Sequence, residues 1–87
     1  MVALAYDQAS AAFANPPLSA LTTIQALIIQ PDRDITVRVA GATAGATVLA
    51  GGIYLLHGGT IDNTGNLGVS IAVTSGTATI RLIAFGT

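Results

Sequence analysis

From residue 22 onward, apolar and polar positions alternate in the two-residue rhythm of a β-strand whose two faces see different surroundings. Ile35, Val37 and Val39 alternate with Thr36 and Arg38. Leu67, Val69, Ile71 and Val73 alternate in the same way with Gly68, Ser70, Ala72 and Thr74. Ser75-Gly76 is a two-residue turn signal that predicts a hairpin. Beyond it, residues 77–85 place Ile80, Leu82 and Ala84 on one side and Arg81, Ile83 and Phe85 on the other. This strand is apolar on both faces toward its end, so one face suits a core and the other calls for a separate cover.

Two shorter apolar runs complete the pattern. TIQALIIQ at 23–30 is stopped by Pro31, and IYLLH at 53–57 lies between Gly51-Gly52 and Gly58-Gly59. Continuous apolar runs bounded by breakers read as strands buried on both faces. Pro31-Asp32-Arg33-Asp34 and Asp62-Asn63-Thr64-Gly65-Asn66 read as turns, the latter with Asx side chains suited to bonding their own backbone. GATAGAT at 41–47 reads as a small-residue loop or an edge-like segment, and because it does not recur no solenoid follows. The expectation is an all-β domain over residues 22–87, a small antiparallel sandwich or barrel of five to six strands.

Residues 1–21 follow a different pattern. MVALAYDQASAAFA is Ala-rich without a strict period and runs into Asn15-Pro16-Pro17, whose prolines favour an extended path. This predicts an extended N-terminal arm, with Leu4, Tyr6, Pro16 and Pro17 lying on a neighbouring subunit and the sheet able to fold without it. A loosely ordered start over residues 1–10 is the plainer alternative.

Composition sharpens this picture. The 87 residues are 52% hydrophobic and only 8% charged, with no Cys and no Trp. The charges are Asp7, Asp32, Arg33, Asp34, Arg38, Asp62 and Arg81, so Lys and Glu are absent. High apolar content with low charge excludes intrinsic disorder. Three scattered arginines at a net charge of -1 exclude a nucleic-acid reader held by phosphate neutralisation. Without cysteine there is no disulfide and no thiolate zinc site. Soluble monomers carry about 25% charged residues, and a chain this short is marginal alone. Oligomerisation or a membrane must therefore absorb the apolar surplus. The long uncharged stretches at 8–31 and 39–61 are interrupted by prolines, glycines and hydroxyl residues, which makes spanning helices poor. The first ten residues carry only Asp7 and lack the basic start of a secretory leader.

Candidate chemistry is sparse. His57 ends an apolar strand beside Gly58-Gly59, and a turn or interface role suits it better than a triad with Asp62 and a serine. Asp32 and Asp34 with Asp62 match a calcium loop only loosely, because Arg33 intervenes and further oxygen ligands are missing. Gly41, Gly45, Gly51 and Gly52 match no phosphate-binding pattern. No catalytic residue, cofactor or metal is expected, and the chain is not read as an enzyme. Tyr6, Phe13, Tyr54 and Phe85 read as core or interface anchors. The candidate oligomer face comprises Phe13, Ile80, Leu82, Ile83 and Phe85.

The run from Asp34 to Phe85 resembles the small β-sandwich virion proteins of tailed bacteriophages. In them a short strand leads to an A-G-x turn, here Ala50-Gly51-Gly52. A strand of the form Ile-x-Leu follows, here beginning at Ile53, and then a closing hairpin whose second arm is similar to residues 76–83. The resemblance implies a capsid decoration or cement role on the virion surface, assembled in the host cytoplasm. It also implies a homo-oligomer, often a trimer, with an arm gripping the major capsid protein or other virion proteins. It transfers no catalytic residues, and the charge and residue pattern above leave no nucleic-acid or membrane partner expected. Alternatives are a tail or head–tail component, or a receptor- or glycan-binding tip using Asp62, Asn63, Asn66 and Tyr54. A membrane or amyloid-like assembly protein is a further class.

Overall fold

The computed structural model describes residues 1–9, 11–40 and 44–87. Among them the chain forms seven strands: β1 (Val2–Gln8), β2 (Thr23–Pro31), β3 (Ile35–Val39), β4 (Ala46–Val48), β5 (Tyr54–Asp62), β6 (Val69–Val73) and β7 (Ala78–Gly86). A single 3₁₀ turn spans Thr64–Asn66. Two antiparallel sheets result, one of four strands in the order β1-β7-β2-β5 and one of three in the order β4-β3-β6. The expected all-β class and antiparallel sandwich layout are therefore present.

The alternation seen in the sequence does the packing. Ile80, Leu82 and Ala84 of β7, Ile24, Leu27 and Ile29 of β2, and Ile35 and Val37 of β3 all turn inward and are buried. Val69, Ile71 and Val73 of β6 meet them from the smaller sheet. Each fully buried aliphatic side chain contributes about 1.5–3 kcal/mol through removal from water. Ile24 and Ala26 of β2 pair with Gly86 and Phe85 of β7, so Gln25 is an extra residue in β2 there. On the other side the same two residues span Ile61 to His57 of β5. The Gly58–Thr60 stretch is thus a bulge, and Gly58 takes φ +89 within it.

Residues 1–21 depart from the expected arm. Val2–Gln8 pairs one-to-one with β7 from Val2↔Ala84 to Gln8↔Ala78. Val2, Leu4 and Tyr6 pack against the core of their own domain. The chain then crosses to the smaller sheet, where Ala14 and Ile71 exchange backbone bonds of 2.9 and 2.8 Å. Leu18 and Leu21 plug the core at 0% and 6% exposure. Pro16 is buried and Pro17 exposed. The segment is integral to the sandwich because its large side chains alternate with Ala3, Ala5 and Asp7, which is strand spacing.

Two other expectations are corrected. Val69–Val73 and Ala78–Gly86 do not form a hairpin: β6 pairs with β3 and β7 with β1 and β2. The Ser75-Gly76 turn, with Gly76 at φ +68, steps instead from one sheet to the other. β5 is an edge strand, not a doubly buried one, and leaves Leu55 60% exposed. The GATAGAT reading lies partly outside the described residues; within them, Ala46–Val48 is the short edge strand β4.

Candidate assembly surface

The titratable side chains are spread around the molecule, and three of the aspartates, Asp32, Asp34 and Asp62, hold its turns. At one end of the sandwich, the Asp32 carboxylate accepts from the Thr79 amide at 2.7 Å and Asp34 from the Ala50 amide at 2.9 Å. These bonds tie the β2–β3 corner to β7 and to the turn before β5. At the far end of β5, Asp62 accepts from the amide and hydroxyl of Thr64 at 3.0 and 2.6 Å. The hydroxyl bond, the larger influence, and the amide bond hold this carboxyl below its usual range by favouring the charged form. The three aspartates considered for a calcium loop therefore do not converge. Among the described residues no group of three His, Asp or Glu side chains could hold a metal ion.

The proposed glycan cluster also separates. Tyr54 begins β5 and Asp62 ends it. Asn63 is buried, its Nδ2 donating to the Leu18 and Leu21 carbonyls at 2.9 and 2.7 Å while Oδ1 accepts from the Gly68 amide at 2.9 Å. Asn66 donates to the Pro16 carbonyl at 2.9 Å and accepts from the Leu18 amide at 3.2 Å. Both asparagines are committed to pinning the 16–21 crossing against the 63–68 turn. His57 is exposed on β5, paired with Ala26 rather than with an acid.

The apolar residues form a more connected feature. On the outer face of the four-stranded sheet, Ala3 pairs with Ile83, Ile83 with Ile28, and Ile28 with Leu55. One transverse row thus runs unbroken and uncharged across β1, β7, β2 and β5. On one side of it lie Phe85, Ala26 and His57, on the other Ala5, Arg81 and Gln30. A shallow depression of about 290 Å³ opens on this face, lined by Ala3, Ala5, Ile28, Gln30, Arg81 and Ile83. Leu55 and Phe85 are 60% and 43% exposed. Single exposed apolar side chains are ordinary, but a contiguous patch marks a binding surface.

The residues expected at an oligomer face divide accordingly. Ile83 and Phe85 do lie outward on this surface. Ile80 and Leu82 do not: at 0% and 1% exposure they belong to the core, because successive strand residues point to opposite faces. Phe13 sits apart, on the crossing segment, with the Arg38 guanidinium 4.1 Å from its ring centroid. The expected arm contacts Leu4 and Tyr6 face inward, and burial pushes the Tyr6 phenol up to about 12. Sequence reasoning missed Ile28 and Leu55 as members of the outer row, since only strand order and register bring them beside Ile83.

Among the described residues no helix is long and apolar enough to cross a membrane. No protein-family model, no curated protein and no solved structure matches the chain.

Proposed function

We propose that the chain is a structural virion protein of a tailed bacteriophage, a capsid decoration or cement protein that oligomerises and lies against shell subunits. The observation that carries this reading is the uncharged row Ala3–Ile83–Ile28–Leu55 across the outer sheet face. A chain with 8% charged residues has little other means of covering its surface, and contact with neighbours removes that row from water. Carboxylates and amides engaged in turn hydrogen bonds leave no cluster suited to acid–base or nucleophilic chemistry among the described residues. The phage assignment rests on the resemblance of residues 34–85.

The test is co-sedimentation of the purified chain with empty heads of the phage that encodes it. The wild-type chain pellets with the heads. An Ile28→Ser/Leu55→Ser double variant, its circular dichroism unchanged, stays in the supernatant. A wild-type chain that remains soluble beside the heads at every concentration overturns the proposal.

A further inference from the structure

The two sheets expose four lateral edges among the described residues, and three of them are blunted. β4 is only three residues long. The outer edge of β6 is occupied by the crossing segment, where Ala14 bonds Ile71 in both directions and Asn15 donates to the Val69 carbonyl at 2.7 Å, and by Gln8 at the end of β1, which donates to the Ile71 carbonyl at 2.7 Å. β5 is interrupted by its Gly58–Thr60 bulge. Short strands, covering segments and bulges are the devices that keep sheet edges from pairing with other chains.

β1 has none of them. Its seven residues hold an unbroken register with β7 and include no Pro, Gly or Lys. Its one charge, Asp7, points to the outer face, where its carboxylate accepts from the Thr79 hydroxyl of β7 at 2.6 Å. It is therefore no inward-pointing guard. The inward side chains Val2, Leu4 and Tyr6 are left half-buried at the border of the sheet.

We propose that β1 pairs antiparallel with β1 of a second copy across a two-fold axis, joining two four-stranded sheets into one of eight strands. A second copy fits because an antiparallel pair of identical strands is self-complementary. Such pairing carries the two Asp7 carboxylates to opposite ends of the joint, roughly 20 Å apart for an axis near Leu4 at about 3.4 Å per residue. The outer positions that meet there, Ala3 and Ala5, are small and uncharged. The joint also covers the parts of Val2, Leu4 and Tyr6 that remain exposed. This inference rests on the proposed assembly role only in taking the chain to be an oligomer.

The chain has no cysteine, so single substitutions report proximity cleanly. Oxidised Ala3→Cys, Leu4→Cys and Ala5→Cys variants are compared with Ile28→Cys by non-reducing electrophoresis, alongside light-scattering mass of the unmodified chain. The expected result is a dimer mass in solution, disulfide-linked dimer for at least one β1 position and none for Ile28→Cys. Ala5→Lys, which places an edge charge at an exposed site, should return the chain to monomer with its circular dichroism unchanged. A monomer mass at about 100 µM, or crosslinking at Ile28→Cys in place of β1, overturns the pairing. If the wild-type chain still pellets with phage heads in that case, the assembly reading stands and the edge joint alone falls.

Discussion

The Nδ2 of Asn63 donates to the Leu21 carbonyl over 2.7 Å, and the same nitrogen reaches the Leu18 carbonyl at 2.9 Å. With Oδ1 on the Gly68 amide, one buried side chain satisfies three backbone groups from two distant loops. Removing it strands the Leu21 carbonyl and the Gly68 amide, at about 1–3 kcal/mol for each buried group left unpartnered, while the Leu18 carbonyl keeps its bond from the Leu21 amide at 3.0 Å. Asn63→Ala should therefore lose at least about 2 kcal/mol in urea unfolding. Asn63→Asp should be no better, because a carboxylate cannot donate to two carbonyls. A loss under about 1 kcal/mol in either variant would show the bonds to be dispensable.

Deleting residues 1–17 should unfold or aggregate the chain rather than free an otherwise intact sheet. The deletion removes β1, strips a neighbour from β7, and takes away the inward packing of Val2, Leu4 and Tyr6. Partial burial of these three side chains accounts for about 3–5 kcal/mol, a large part of a small domain's stability. Sharp, dispersed amide resonances from residues 18–87 alone would contradict this.

Two leucines separate packing from surface contact. Leu82 is 1% exposed and Leu55 60%. Leu82→Ala should cost about 2–5 kcal/mol by opening a cavity, whereas Leu55→Ser should change stability by no more than about 0.5 kcal/mol. Under the proposed assembly role, only the second should weaken co-sedimentation with phage heads while leaving the melting temperature in place. Equal stability losses would mean that the outer row is not free surface.

Tyr6 gives a pH signature. Burial raises its phenol to about 12 from a usual value of 10.0, so the folded chain keeps a proton that the unfolded chain releases. Its contribution to stability is complete below pH 10 and declines between pH 10 and 12. A 295 nm titration should show a late-ionising tyrosine that disappears in Tyr6→Phe, and the variant should lose less stability over that interval. A single common ionisation near pH 10 would contradict the burial.

The strands that could be read from the sequence were those whose inward and outward residues differ in polarity. β3 and β6 carry Thr, Arg and Ser between aliphatics, and β7 declares its two faces through Ile80, Leu82 and Ala84 against Arg81. β1 was concealed because its alternation is of size, with Val2, Leu4 and Tyr6 set against Ala3 and Ala5, and hydropathy scarcely distinguishes the two sets. Turn chemistry at Ser75-Gly76 announced a reversal, but a reversal within one sheet and a step between two begin with the same residues. The outer surface was half visible for a related reason. Ile83 and Phe85 show an apolar second face, whereas the positions of Ile28 and Leu55 beside them depend on pairings between strands far apart along the chain.

The seventh strand lies between β1 and β2, and β1 has no other pairing partner in its sheet. A nascent chain thus carries an apolar, unpaired first strand until roughly 70 further residues have been made, on the order of 4–14 s at 5–20 residues per second. The larger sheet can close only after synthesis of β7. Until then the opposite edge of β1, the one that β7 will occupy, is open as well, so the nascent strand presents both of its sides to any extended neighbour.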